Sequence, residues 1–313
     1  MNFFDLDQCL GEYQAPDSQN SAMQQQMPRG LDHVVHAVHD LDAAAALYRR
    51  LGFTVGERNR HPWGTHNHVV QLPGFFIELL TVAEPEKLAG HAFSALFGTF
   101  NRTFLRRREG FSMLIVESGD VAADAAAFRA AGIAVSEALS FEREGRRPDG
   151  TAVTLGFSLA FARDAKAPAA GFAACRQHFP ENFWNPAFQQ HPNTAAAVAG
   201  VVLTAENPSE HHIFLSAFVG ERELLATSTG ITVKTPRGEI QVMDPAAFRS
   251  HFGIPAPDVA QGARIAALRL TVRQQDVTRA LLRRAGVAFA EVMGRIVVAP
   301  GAAMGATLVF EGA

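Results

Sequence analysis

The chain of 313 residues is long enough for two ordinary domains, and 48% hydrophobic against 19% charged residues indicates a soluble globular protein. Its net charge of -3 comes from interspersed signs without a basic stripe, so no nucleic acid partner is expected. Two cysteines exclude a disulfide framework. With no long apolar run and no basic-then-apolar leader, we expect a cytoplasmic protein that does not contact membranes.

The first 30 residues differ from the rest of the chain. They include the glutamine-rich stretch SQNSAMQQQMPRG and show no sustained hydrophobic period. We therefore predict an N-terminal arm over residues 1–30 that contributes little to the chemistry.

After this arm, four short amphipathic helices recur, each preceded by an apolar strand and closely followed by further strands. Each helix ends at a glycine in the usual helix-terminating position: Gly52, Gly132, Gly220 and Gly286. The predicted capping residues at their starts are Asp40, Asp120, Asn207 and Asp276. The repeat predicts an α+β fold of four βαβββ units, paired into domains over residues 31–192 and 195–313.

The strands that follow each helix alternate between apolar and polar residues or are wholly apolar. Each unit can therefore form a curved sheet with one face against its helix. The opposite face should line a concavity, and this is where a binding site is expected.

Two segments of the first unit carry a family resemblance. LDHVVHAVHDLDAAAALYRRLGF and RHPWGTHNHVVQLPGFFIELLTV resemble the vicinal oxygen chelate superfamily, in its glyoxalase-like branch. The resemblance is closest over residues 31–81 and weaker through the later units. It implies paired βαβββ units forming half-barrels, commonly with a divalent metal in the hollow. The family's ligand positions fall on His33 of the first strand and Glu78 of the last.

Strand geometry limits the roles of the histidines in the first segment. His33 and His36 point to opposite faces of a strand, so only one of them can reach the hollow. We predict that His36 packs against the helix and that His39 lies at the surface. A structural, hydrogen-bonded role for His33 is the alternative to ligand binding.

Glu78 lies in an apolar strand, where an isolated carboxylate is costly to bury without a cation or hydrogen-bond donors. A divalent metal bound by His33 and Glu78 would offset this cost, and Zn, Fe, Mn, Ni and Co all suit such ligands. Without a metal, burial would raise the pKa of Glu78, and the carboxylate could act as a general base. An ion pair with an arginine is the structural alternative.

The stretch WGTHNH supplies a second polar cluster. His66 faces one side of its strand, while Asn67 and Gln71 face the other, and the sequence leaves open which side lines the hollow. We predict His66 as a catalytic candidate, Asn67 and Gln71 as substrate contacts, and Trp63 as an aromatic wall. A polar strand end at the surface is the alternative.

The second unit departs from the family pattern. Its first strand offers Phe111 or Ser112 where a histidine is expected, and GFAACRQHFPENFW lacks the matching carboxylate. His178 is the predicted replacement ligand, and Trp184 is expected to help close the cavity. The second domain is predicted to be structural or to form a homodimer.

These observations favour a metal-dependent lyase or isomerase acting on a small oxygenated organic molecule. The alternative is a protein of the same fold that binds a small ligand without changing it. An extradiol-type dioxygenase is disfavoured, because Gly200 and Ala267 stand at the first-strand positions of the second domain. The usual glycine-rich phosphate-binding and nucleophile-elbow motifs are absent, so no nucleotide cofactor is expected.

Overall fold

The computed structural model describes residues 27–90, 93–146 and 150–313. Most of the predicted N-terminal arm therefore lies outside the described residues. The first unit consists of β1 (Leu31–Ala37), α1 (Leu41–Arg50), β2 (Asn59–Arg60), β3 (Thr65–Leu72) and β4 (Phe75–Val82). A 3-10 turn (Pro85–Leu88), a π-helical turn (Ser94–Gly98) and α2 (Thr99–Leu105) lead to the second unit.

The second unit has one more strand than the first. It consists of β5 (Gly110–Glu117), α3 (Val121–Ala130), β6 (Ala134–Val135), β7 (Leu139–Arg146), β8 (Ala152–Arg163) and β9 (Gly171–Gln177). The short helix α4 (Pro180–Phe183) and a 3-10 turn (Pro186–Gln189) then lead to the third unit.

The third and fourth units repeat the same order. The third consists of β10 (Ala195–Thr204), a 3-10 turn (Pro208–His211), α5 (His212–Val219), β11 (Leu224–Thr227), β12 (Gly230–Lys234) and β13 (Glu239–Met243), and α6 (Pro245–Phe252) follows. The fourth consists of β14 (Arg264–Val272), α7 (Gln275–Arg284), β15 (Ala290–Val292), β16 (Arg295–Val298), a 3-10 turn (Pro300–Ala302) and β17 (Thr307–Gly312). The four predicted βαβββ units are confirmed, the second with one additional strand.

The C-terminal ends of the four repeated helices follow the predicted chemistry, but only two of the four predicted capping residues form a side-chain cap, and Asn207 forms none. Gly52, Gly132, Gly220 and Gly286 have φ of 82°, 76°, 79° and 65°, in the left-handed region that glycine adopts at least cost. Asp40 and Asp120 accept hydrogen bonds from first-turn amides of α1 and α3. The prediction for Asp276 is wrong, because Gln274 is the N-cap and Asp276 lies in the first turn of α7.

The units pair into two sheets. The first has the order β2-β3-β4-β1-β5-β9-β8-β6, with β7 attached to β8, and the second has the order β11-β12-β13-β10-β14-β17-β16-β15. Within each unit the first and last strands are parallel neighbours, and the two units of a pair meet through antiparallel first strands. The domain boundaries at residues 192 and 195, and the homodimer, stay predictions.

One face of each sheet contributes to a core shared by both halves of the molecule. The four repeated helices lie in this core, where Phe128 of α3 packs on Phe218 of α5 with ring centroids 6.0 Å apart. Arg29 joins the same region, donating to Asp124 and to the carbonyl oxygen of Phe218. The opposite face of each sheet is left to form its own hollow.

Two helices that the sequence pattern did not predict close these hollows. Phe93, just before the π-helical turn, and Phe97 within it extend into the first hollow. In the equivalent connection, α6 brings Phe248 and Phe252 into the second. No helix in the described part of the chain is both long and apolar enough to cross a membrane.

Candidate functional site

The hollow of the first sheet contains a narrow cavity of about 60 Å³. Aromatic rings form most of its wall, including Trp63, Phe76, Phe93, Phe97, Phe141 and Phe157. The polar side chains that reach it are His33, His61, Asn67, Glu78, Arg143 and Cys175. Few polar groups in a mostly apolar wall are typical of a small-molecule site.

His33 and Glu78 come together because β1 and β4 are parallel neighbours, with Val35 opposite Glu78 in the register. Both side chains are buried, and His33 Nε2 lies 4.0 Å from Glu78 Oε2. The imidazole also stacks on Phe76, with ring centroids 4.2 Å apart. The structure therefore brings this predicted pair to one wall of the cavity.

Asp32 fixes the orientation of His33. The pairing of β1 with β5 shifts register between Leu31 and His33, so Asp32 lies in a β-bulge. Neighbouring side chains of a regular strand point to opposite faces, but a bulge relieves that restriction. Asp32 Oδ2 accepts the Nδ1–H of His33 at 2.6 Å, and Gln177 donates to Asp32 Oδ1 at 3.1 Å. His33 Nε2 is left facing Glu78.

Glu78 is held from its other side by a chain of amides. Asn67 donates to Glu78 Oε1 at 2.5 Å, and Asn59 donates to Asn67 Oδ1 at 3.0 Å. Arg143 donates to Asn59 Oδ1 at 3.2 Å. Burial raises the pKa of Glu78 above its ordinary 4.5, against the lowering effects of His33, of the Asn67 hydrogen bond and of Arg143.

The other histidines of the first segment lie where strand geometry predicts. His36 faces the helix side, where the Tyr48 hydroxyl donates to Nδ1 at 2.9 Å and Nε2–H donates to the Met304 carbonyl oxygen at 2.9 Å. Burial lowers its pKa from 6.5 to about 4. His39 is exposed. Neither residue reaches the cavity.

The orientation of β3 settles which of its residues face the cavity. Asn67 does, whereas His66 lies on the opposite face, where its Nε2–H donates to Glu84 Oε1 at 2.8 Å. The structure therefore does not bring His66, predicted as a catalytic candidate, to Glu78. Gln71 donates to the Phe183 carbonyl oxygen at 2.7 Å and thereby holds α4 against β3.

The two tryptophans occupy different parts of the site. Trp63 is buried in the cavity wall, stacked on His61 with ring centroids 4.7 Å apart. Trp184 lies outside, in a groove of about 900 Å³ that shares Phe183 with the cavity. It packs against Phe76 and Phe183, with centroid distances of 6.0 and 4.9 Å. It thus lies at the mouth of the cavity.

The second unit adds no further ligand at the predicted position. His178 is exposed and bonds to Ser158 Oγ at 2.7 Å, so it does not reach His33 and Glu78. The residue that does reach the cavity is Cys175. Burial, reinforced by the Asp32 and Glu78 carboxylates, raises its thiol pKa well above 9.0.

The cavity residues do not fit the divalent metal that the resemblance implies. They supply two suitable donors, His33 and Glu78, beside a protonated thiol and the cationic Arg143. In the described residues, no group of three or more His, Cys, Asp or Glu is placed to bind an ion. Metal centres in proteins usually have at least three protein ligands, so the donor set does not fit one.

Three site residues were missed by the sequence reasoning. The sequence pattern did not indicate Asp32, because the orientation of its side chain depends on a β-bulge. Arg143 had a sequence signal, since it stands two residues after Phe141 in the strand LSFEREGR and therefore shares its face. His61 was passed over among the other histidines. Burial, with the nearby charges of Arg143 and His66, lowers its pKa to about 3, so it is neutral.

The paired βαβββ units have the architecture of the vicinal oxygen chelate superfamily. A model of the glyoxalase-like domain matches residues 31–219, more than half of the chain, and the chain belongs to that family. A search of curated proteins found no match.

Many solved structures match the fold, and two of them illustrate the likeness. A hypothetical protein from Staphylococcus aureus has a TM-score of 0.62 and 12% identity, with 91% of this chain and 100% of that chain covered. A triple mutant of 4-hydroxymandelate synthase from Streptomyces coelicolor has a TM-score of 0.56 and 12% identity, with 91% and 92% covered. At this identity, the likeness establishes the two-domain fold alone.

Proposed function

We propose that the first hollow binds a small oxygenated organic molecule and moves a proton on it, the chemistry of isomerases and of many lyases. One observation carries the proposal. His33 Nε2 and Glu78 Oε2 lie 4.0 Å apart on the cavity wall, and each group is fixed from behind by a partner of its own. Two titratable groups held in this way are typical of general acid–base sites.

Glu78 is the proposed base. Asn67 occupies Oε1, so Oε2 is the oxygen that faces His33 and the cavity. Burial raises the pKa of Glu78, and a carboxyl group whose pKa lies nearer the working pH can both take and return a proton. The proton that Glu78 removes would come from a carbon atom next to a carbonyl group, because the carbanion left behind is stabilised as an enolate.

His33 is the proposed second group. Asp32 accepts the Nδ1–H, so the tautomer leaves Nε2 free to accept a proton in the cavity. As an imidazolium, the same atom would donate to the substrate oxygen on which negative charge develops. The aromatic wall excludes water from both groups and strengthens these interactions.

The proposal predicts that the protein catalyses exchange of this C–H proton with deuterium oxide. Proton NMR measures the exchange as loss of the C–H signal. The panel consists of small 2-oxo acids and hydroxyketones, and the protein should accelerate exchange of at least one of them over buffer. Glu78→Gln should lower that rate by about 10²–10⁴-fold, because the variant keeps the shape but cannot accept the proton. His33→Gln should lower it by a smaller factor.

Glu84→Gln is the matched control, because Glu84 bonds to His66 on the far face of β3. It should leave the exchange rate unchanged. Exchange that survives in Glu78→Gln, or that never exceeds the buffer rate for the whole panel, would contradict the proposal.

The divalent metal remains a separate prediction with its own measurement. Elemental analysis of the wild type, His33→Ala and Glu78→Ala shows whether these two side chains retain an ion. We expect exchange to survive treatment with a chelator, because the donor set falls short of a metal centre. Exchange lost on chelation and restored by one metal would favour the metal-dependent form instead.

The second candidate function is binding without turnover. The largely aromatic wall of the cavity favours it, since such a wall holds an apolar molecule without any chemistry. A ligand that binds tightly and is recovered unchanged, with no deuterium incorporated, would support this function over the first.

A further inference from the structure

Arg143 differs from the other arginines of the groove because it also lines the cavity, where it has no ionic partner. In the ranges that the structure describes, no carboxylate oxygen lies within 4.0 Å of its guanidinium nitrogens. Two other arginines that line the same groove are paired, Arg58 with Asp42 at 2.7 Å and Arg146 with Glu144 at 3.2 Å. Arg143 donates instead to Asn59 Oδ1 and to the Glu144 carbonyl oxygen, and its buried Nε has no hydrogen-bond partner.

The position of Arg143 links two spaces. It lines both the narrow cavity and the wide groove outside it, and Phe183 is shared in the same way. A molecule entering from the groove therefore meets this guanidinium before it reaches Glu78 and His33. Burial lowers the pKa of Arg143, partly offset by Glu78, but an arginine side chain keeps its charge in proteins.

A desolvated guanidinium with open donors is suited to a carboxylate. Its planar fork can give two parallel hydrogen bonds to the two oxygens, and such charge-assisted pairs are stronger than neutral ones. The remaining wall is mostly aromatic, so the part of the molecule that lies against it should be largely apolar. At roughly 10–15 Å³ for each water-sized group, the cavity of about 60 Å³ holds about four to six heavy atoms.

We propose that Arg143 is the specificity-determining residue of the site, and that the molecule bound is a small carboxylic acid with a short apolar body. Its carboxylate pairs with Arg143 at the mouth, and the body extends along the aromatic wall toward His33 and Glu78. The inference rests on the proposed function for the reaction that follows, but the binding preference stands on the position of Arg143 alone.

The competing explanation is that Arg143 only balances the charge of Glu78 across the chain of amides. In that case the cavity would not distinguish a carboxylate from a neutral molecule of the same shape. Butyrate and butyramide are such a pair. The two tryptophans of the chain lie in the cavity wall and in the groove, so intrinsic fluorescence reports on both spaces.

Fluorescence titrations at constant ionic strength should give a dissociation constant at least tenfold lower for butyrate than for butyramide. Arg143→Gln should raise the butyrate constant to that of butyramide. Arg146→Gln is the matched control from the same groove and should keep the preference. Arg143→Lys, which keeps the charge but loses the fork, should weaken butyrate binding several-fold and leave butyramide unchanged. It also tests the proposal if Arg143→Gln does not fold.

Equal affinity of the wild type for the two probes would overturn the inference. The inference would also be overturned if butyrate binding does not saturate, or if Arg143→Gln still prefers butyrate. Loss of the butyrate preference in Arg146→Gln would overturn it as well. Failure of the proposed function looks different. Glu78→Gln should still prefer butyrate, so a wild type that prefers butyrate but exchanges no protons would refute the function and leave the role of Arg143 standing.

Discussion

The two hollows of this molecule are built on the same strand arrangement but contain different chemistry. In the first, Glu78 lies opposite Val35 across parallel strands, and in the second Gln241 lies opposite Val202 in the same way. Two positions before Val202 stands Gly200, where the first hollow has His33. The fold therefore supplies a concave wall, and a few inward positions decide whether that wall carries reactive groups.

The two hollows also differ in how completely their charged groups are paired. In the second hollow, Arg269 pairs with Glu239 at 2.5 Å and with Glu311 at 2.8 Å, and Arg295 pairs with Glu311 at 3.2 Å. These groups satisfy one another. In the first hollow Arg143 has no such partner among the described residues, and Glu78 keeps a raised pKa. If the proposed function is right, incomplete pairing of ionic groups distinguishes the hollow that binds a ligand.

The largest expected difference between the hollows concerns packing. Phe248 of α6 is fully buried in the second hollow, so Phe248→Ala should lower the free energy of unfolding by about 3–5 kcal/mol. Phe183 is half-buried at the mouth of the first hollow, and Phe183→Ala should cost less than about 1.5 kcal/mol. Urea unfolding measures both. Equal losses would mean that the first hollow is packed as a core rather than kept open.

A second test concerns the link between the two halves through His36. Its pKa in the folded protein is about 4 against 6.5 when unfolded, so only the unfolded chain gains a proton as the pH falls through this window. This group should therefore remove about 3 kcal/mol of stability between pH 6.5 and 4. The difference between wild type and His36→Gln should shrink on acidification. The exposed His39→Gln should show no such trend.

The smallest expected effect is on stability at different pH values, and it contrasts variants of two carboxyl groups, Glu78 and Glu311. The folded protein binds a proton to Glu78 at higher pH than the unfolded chain does, so stability falls as the pH rises above about 4.5. Glu78→Gln should therefore gain stability relative to wild type between pH 5 and pH 8. Glu311→Gln should lose about 1–3 kcal/mol at pH 8, because it leaves Arg269 and Arg295 short of an acceptor. Denaturant unfolding at both pH values decides the signs.

The sequence predicted the scaffold well because its signals are local. A glycine after an amphipathic helix has one usual role, and the spacing of Gly52, Gly132, Gly220 and Gly286 was enough to count the units. The pairing of His33 with Glu78 also followed, since strand geometry and the family pattern agree on it. These features need no knowledge of distant contacts.

The rest of the site depends on contacts that the local pattern does not encode. Asp32 should point away from His33 on a regular strand, and only the pairing with β5 creates the bulge. The choice between His66 and Asn67 depends on which face of β3 meets the helices. Arg143 lies 65 residues after Glu78, on a hairpin that folds over the hollow, so its relation to Glu78 required the tertiary structure.

The bulge at Asp32 has a consequence for anyone who would transplant this centre into another scaffold. A designer who copied only the inward-facing positions of the first strand would include the imidazole and omit its carboxylate neighbour. The unit to be transferred is a length of backbone that includes the surplus residue Asp32, because on a regular strand the residue before His33 would point to the other side of the sheet.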